Sequence, residues 1–337
     1  MNSTSRRGRA RRGYALLTAC LLAGTVSSLQ AQQLGLSRLF YPNVTLRADY
    51  VVPSNSATTQ NFGMTRTSGL GIIPIQSEVQ AGLSFRKKFD LRAVHTVMIG
   101  QFTQIQPTIN GTNFPDNGYK TISVGAIRLQ ASVKDKLWVY GGAIGMTESN
   151  ETFFTPQPFL WGGAARMRII GLRSQIVYGS ILTYNQRLRV VPVFGINQRI
   201  SKKWRATALL PFMADVNYHP TKWFSMDMLA GVNGYSGGFQ VQTAEEKLLR
   251  RQNYQHVKLG LSANLHLLTV FNVSAEAGLA GFRQLRTFNS ARENLASTSP
   301  PMAPYVGVSV RYLTSRSKFS SKFMGKLGLG EKGIVNW

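Results

Sequence analysis

A single cysteine, Cys20, is all the thiol chemistry in these 337 residues. It falls in an N-terminal segment that reads as a leader, so the mature chain would hold no disulfide and no thiolate metal site. Acids are scarce, 14 against 39 Lys and Arg, and there are four histidines with no H-E-x-x-H or related spacing. That speaks against a metal centre. Charged residues make up 16%, well under the quarter usual in soluble domains. Beyond the leader no uninterrupted apolar run approaches ~18 residues, which excludes a transmembrane helix.

What is present is alternation. In Tyr254 to Leu267, YQHVKLGLSANLHL, one parity carries His256, Lys258, Gly260, Ser262, Asn264 and His266. The other carries Val257, Leu259, Leu261, Ala263, Leu265 and Leu267. Successive strand side chains point to opposite faces, so this strand has a wet face and an apolar one. Val44–Val51, Gln76–Arg86, Leu91–Gln104, Tyr119–Val133, Leu137–Thr147, Phe159–Ile170, Arg173–Thr183, Arg187–Ile200, Val270–Leu285 and Pro304–Leu313 read as further strands. Trp204–Tyr218 and Trp223–Gln242 complete the set. The 32 glycines suit curved strands with crowded side chains. The paired glycines at Gly141, Gly162 and Gly237 carry no phosphate-loop signature.

Ahead of the strands, Arg6 to Arg12 is basic, Tyr14 to Val26 is apolar, and Leu29-Gln30-Ala31 offers a cleavage site. The apolar run is too short for a spanning helix and reads as a secretory signal over residues 1–31. Leu17-Thr18-Ala19-Cys20 gives the alternative of lipidation at Cys20. Removing the five leader arginines lowers the net charge from +25 to +20. The remaining basic residues are dispersed, not gathered in a stripe, which argues against nucleic acid.

An exported chain without a spanning helix can still cross lipid as a closed barrel, because closure satisfies every strand's backbone. The expected fold is an all-β, antiparallel transmembrane β-barrel of about 12 to 14 strands over residues 32–313, with a basic tail over 314–337. Pro53 to Pro74, Pro107 to Gly118, Glu148 to Pro158 and Arg286 to Met302 read as long loops. Thr243 to Arg251 reads as a helical turn within another. The tight turns lie between them, as expected for external loops and periplasmic turns. Trp204–Tyr218 allows two readings: a hairpin broken at Pro211, or one continuous strand.

Aromatics beside the turns form an expected interface girdle: Phe89, Trp138, Trp204 and Trp223, with Trp161 at the opposite rim. By strand parity the lumen would be lined by Arg47, Asp49, Glu78, Arg86, Arg205, Asp215, Asp227, His256, Lys258, Ser262, Asn264, His266, Glu276 and Arg311. Such charges pair across a barrel wall or set ion selectivity. A Ser262–His266 pair could activate a hydroxyl, but polar inward residues are what any barrel wall needs, and no catalytic residue is assigned.

The Gln-rich stretch after Ala31, ADYVVPS, LWVYGGAIG and SKKWRATALLPFMADVNYHPTKWFSMDMLAGVNG together resemble a family of outer-membrane β-barrel proteins of unknown function, common in Bacteroidetes-type bacteria. The resemblance implies a barrel and an outer-membrane address, and it brings no activity. Tyr305 to Tyr312 resembles the last-strand signal that barrel-assembly machinery reads, although here a tail follows. The leading expectation is a passive channel or solute-transport pore without cofactor. Its partners would be outer-membrane lipids, the assembly machinery and small solutes. A lipid-modifying enzyme and a structural or docking barrel are the alternatives.

Overall fold

The computed structural model describes residues 42–54, 61–84, 87–116, 118–132, 136–149, 157–171, 174–185, 188–242, 247–267 and 270–313. The leader and the basic tail lie outside them, as do Arg86 and the side chain of Phe89. The strands are β1 (Asn43–Val51), β2 (Phe62–Ser84), β3 (Lys87–Ile109), β4 (Thr112–Asn113), β5 (Tyr119–Ser132), β6 (Lys136–Ser149), β7 (Gln157–Gly171) and β8 (Ser174–Tyr184). They continue as β9 (Leu188–Arg199), β10 (Trp204–Leu210), β11 (Met213–Tyr218), β12 (Phe224–Gln242), β13 (Lys247–Leu267), β14 (Phe271–Phe288), β15 (Asn294–Thr298) and β16 (Ala303–Leu313).

Every pairing is antiparallel. β1 pairs with β16, and the β13–β14 ladder closes the ring. β4 and β15 are short additions on β3 and β14, which leaves, among the described residues, a closed barrel of 14 strands. Closure matters because an open edge in hydrocarbon would leave backbone donors and acceptors unsatisfied.

The outer face is apolar. On β13, Leu259 and Leu261 are 54% and 57% exposed, while His256 and Lys258 on the other parity are 1% and 2%. On β16, Val306, Val308 and Val310 point outward and Tyr305 and Arg311 inward. A soluble sheet would show the reverse. The closed, outwardly greasy wall defines a membrane-spanning barrel.

Most short turns lie at the end where β1 begins and β16 stops; the long β1–β2, β6–β7 and β14–β16 connections lie at the other, together with the short β8–β9 turn. Trp204 stacks on Tyr218 at 4.6 Å and Phe271 on Tyr312 at 4.9 Å, both at the short-turn end. The hairpin reading of Trp204–Tyr218 holds, with Pro211 and Phe212 in the turn and arms of 7 and 6 residues.

Several expected loops are strand. β2 starts at Phe62, inside the Ser/Thr/Gly-rich stretch, and threonine's branched side chain fits a pleated surface well. β3 runs through Pro107 to Ile109. The expected helical turn is contradicted from Lys247 onward, where β13 pairs residue by residue with β12; Thr243–Glu246 lie outside the described residues. Within Arg286 to Met302, β15 folds back on the end of β14.

Candidate functional site: the lumen

The upper half of β12 leaves the wall. β11 stops opposite Gly231, but β12 runs on to Gln242, paired with β13. From Gly231 to Tyr235 every residue is buried, on both parities, as are Gly237 to Phe239. The β12–β13 hairpin therefore folds inward across the loop-end mouth. Glycine makes this possible at two positions. A Cβ on Gly237 would overlap the Tyr119 ring, and one on Gly238 would overlap the Gln157 amide.

The hairpin packs an apolar plug there from Tyr235, Phe239 and Tyr254 with Phe62, Ile105, Tyr119 and Tyr305. The tyrosine tips are answered: Tyr119 and Tyr235 donate to Gln252 Oε1 at 3.3 and 2.6 Å. Arg283 ties the plug to the wall, donating to Tyr254 Oη at 2.9 Å, to Pro301 O at 2.8 Å and to Phe62 O. A bulge puts it there. Gln255 pairs with Gln284 and Val257 with Gly281, so Phe282 and Arg283 together face His256. Phe282 takes a positive φ and points out, and Arg283 points in.

Below the plug lies a layer of charge. Arg47 Nε donates to Asp49 at 2.8 and 2.9 Å, and its Nη2 reaches Glu276 Oε2 at 2.7 Å. Lys258 Nζ donates to Glu276 Oε1 at 2.5 Å, and Tyr305 Oη donates to the same oxygen at 2.7 Å. Arg66, also buried, donates to Asn233 on the inward hairpin. Sequence parity did not single out Arg66, because it falls where a loop was expected.

Nearer the short turns the wall becomes amide and hydroxyl. Asn264 donates to Asp227 at 2.8 Å, Ser274 donates to Asn264 at 2.5 Å, and Asn217 donates to Asp227. His266 Nε2 stands 3.4 Å from Ser225 Oγ, so the structure brings His266 to Ser225, whereas Ser262 lies in register between Asp227 and Glu276.

A cavity of about 440 Å³ occupies the space between the plug and the short-turn end. Arg47, Arg205, Asp215, Asp227, Lys258, Ser262, Asn264, His266, Glu276 and Arg311 line it. Asp49 and His256 are buried beside the charge layer and plug. The facing wall is apolar: Ile127, Val139, Trp161, Val193, Leu209 and Phe212. The lumen is thus amphipathic, charged from β10 round through β14 and β16 to β1 and mainly apolar on the β5–β9 side, where Gln175, Ser180, Thr183 and Asn197 also line it.

Two expected placements are corrected. Glu78 does not line the cavity; it is exposed and accepts from Gln76 at 2.8 Å. The register shifts between Pro74 and Gln76, and one extra residue reverses which parity faces inward. Trp161 is not in the girdle; it packs inside against Ile127 and Leu129 and lines the cavity. Trp138, Trp204 and Trp223 are exposed near the short turns.

Neither a family model nor a curated protein matches the chain. Solved structures do. An outer-membrane channel from Pseudomonas putida F1 is 10% identical with TM-score 0.37, covering 81% of this chain and 96% of that one. The monoaromatic hydrocarbon channel TodX of P. putida is 7% identical with TM-score 0.34, covering 82% and 90%. The transport unit of the Escherichia coli autotransporter AIDA-I is 8% identical with TM-score 0.29, covering 89% and 97%. These likenesses concern the barrel as a fold. The protein is a closed, antiparallel, membrane-spanning β-barrel.

Proposed function

We propose that the barrel is a gated solute channel for small amphipathic molecules, not a wide diffusion pore. The observation that carries this is the cavity with one charged and one apolar wall, closed at the loop end by the inward hairpin. Its volume is in the range that holds one small ligand. An acid group would meet Arg47, Lys258 and Arg311, and an alkyl or aryl body would lie along Ile127, Val139 and Trp161. The same reading takes residues 1–31 as a cleaved secretory leader, 314–337 as a periplasmic tail and β16 as the strand met by the assembly machinery. Membership of the barrel family of Bacteroidetes-type bacteria is part of this proposal and is supported by the segments quoted above.

The test uses purified protein in planar bilayers and in liposomes loaded with aryl or medium-chain carboxylates. The expected result is low, flickering ion conductance together with carboxylate efflux that competing carboxylates slow. A large, steady conductance, or liposomes that leak no carboxylate, would overturn the proposal.

A further inference from the structure

The wall is interrupted beside the cavity. β9 keeps its ladder with β8 up to Leu188, but its ladder with β10 ends at Phe194. Beyond the β10–β11 turn, β12 bends inward with β13, and the last link to the turn is Val232 N donating to Phe212 O at 2.9 Å. Among the described residues β9 and β12 share no ladder, so a break opens between them above Phe212.

The outer face beside the break is apolar. Leu188, Val190 and Phe194 point outward and are each more than half exposed. Pro192, which has no N–H, sits in this stretch, and proline in a sheet belongs at an edge. A membrane barrel ordinarily avoids such a discontinuity, because lipid cannot satisfy a strand's backbone. Just inside lies an apolar patch: Val193 and Phe212 are buried, with Ile181, Val191 and Leu209 packed on them. Val193, Phe212, Ile181 and Leu209 also line the cavity. Phe212 lines the cavity at the foot of the break, and Arg251 on the inward hairpin donates to Asn185 Oδ1 at its upper end.

We propose that the break between β9 and β12 is a side door, with Phe212 as its leaf, through which an apolar or amphipathic small molecule passes between the cavity and the bilayer. The ligand class rests on the channel reading above. The door itself rests on the strand registers. A molecule with an apolar body gains by leaving sideways into hydrocarbon, where a purely axial pore would force it through water.

The chain's one cysteine makes labelling direct. In a Cys20→Ser background, Phe212→Cys and Val193→Cys report the door, Ile127→Cys the far cavity wall, and Leu210→Cys the lipid face. Pyrene maleimide dissolved in phosphatidylcholine vesicles is the probe, with a sulfonated, membrane-impermeant maleimide in the aqueous phase as its counterpart. The expected result is lipid-side labelling at 212 and 193 on the order of tenfold faster than at 127, a ratio of ~1.4 kcal/mol in accessibility. Labelling at both positions as slow as at 127, while Leu210→Cys reacts, overturns the door. If Phe212→Cys fails to fold, Val193→Cys alone decides. Carboxylate efflux measured on the same vesicles separates the two ideas. Efflux without lipid-side labelling removes the door and keeps the channel, and labelling without efflux does the opposite.

Discussion

Lys258 Nζ sits 2.5 Å from Glu276 Oε1, with the two side chains only 2% and 6% exposed. Glu276 also accepts from Arg47 and Tyr305, so one carboxylate answers two cations. Such a buried arrangement costs much desolvation, and removing one member leaves the others uncompensated. Glu276→Gln should destabilise the barrel by roughly 3–5 kcal/mol. Lys258→Met should cost less, because Glu276 keeps Arg47 and Tyr305. Urea midpoints of both variants refolded into vesicles check the ordering, and equal losses would show that Glu276 is not the hub.

The inward hairpin depends on Gly237. Gly237→Val places a branched side chain against the Tyr119 ring and should push the hairpin off the mouth. Raised single-channel conductance with the barrel still folded is the expected outcome. Unchanged current would mean that the hairpin does not occlude the lumen.

Arg283 holds the plug from the wall side by three donated bonds. Hydrogen bonds to a charged group contribute about 1.5–3 kcal/mol each, and the Tyr254 and Phe62 acceptors are buried. Arg283→Met should therefore lower stability by at least about 2 kcal/mol and increase open-channel noise. Denaturant titration and bilayer recording read the two effects separately.

The outward face can be tested by charge. Leu261→Arg, well inside β13 from its short-turn end, should cost ~2–4 kcal/mol, and Leu267→Arg, beside the short turn, only ~0–1. A flat response along the strand would mean that this face does not meet hydrocarbon.

Much of the wall was legible because strand parity is local. The alternation in Tyr254 to Leu267 told which side chains face water, and the structure puts His256, Lys258, Ser262 and Asn264 inside. Parity failed where a residue was inserted. The shift between Pro74 and Gln76 turned Glu78 outward, and the bulge opposite His256 turned Arg283 inward, and neither leaves a mark in composition. Trp161 misled for another reason. An indole suits an interface or an oily inner wall equally well, and only its neighbours decide between them.

The order of residues alone determined a secreted-looking chain of alternating strands, and with it the closed, outwardly apolar barrel, because a two-residue period needs no knowledge of distant partners. Only the tertiary structure decided that β10 and β11 stop short, that β12 then bends inward, and that the mouth is plugged while the wall beside it is broken. Those outcomes depend on which strand runs out of a partner first, and a ladder's length is set by two strands together, never by one.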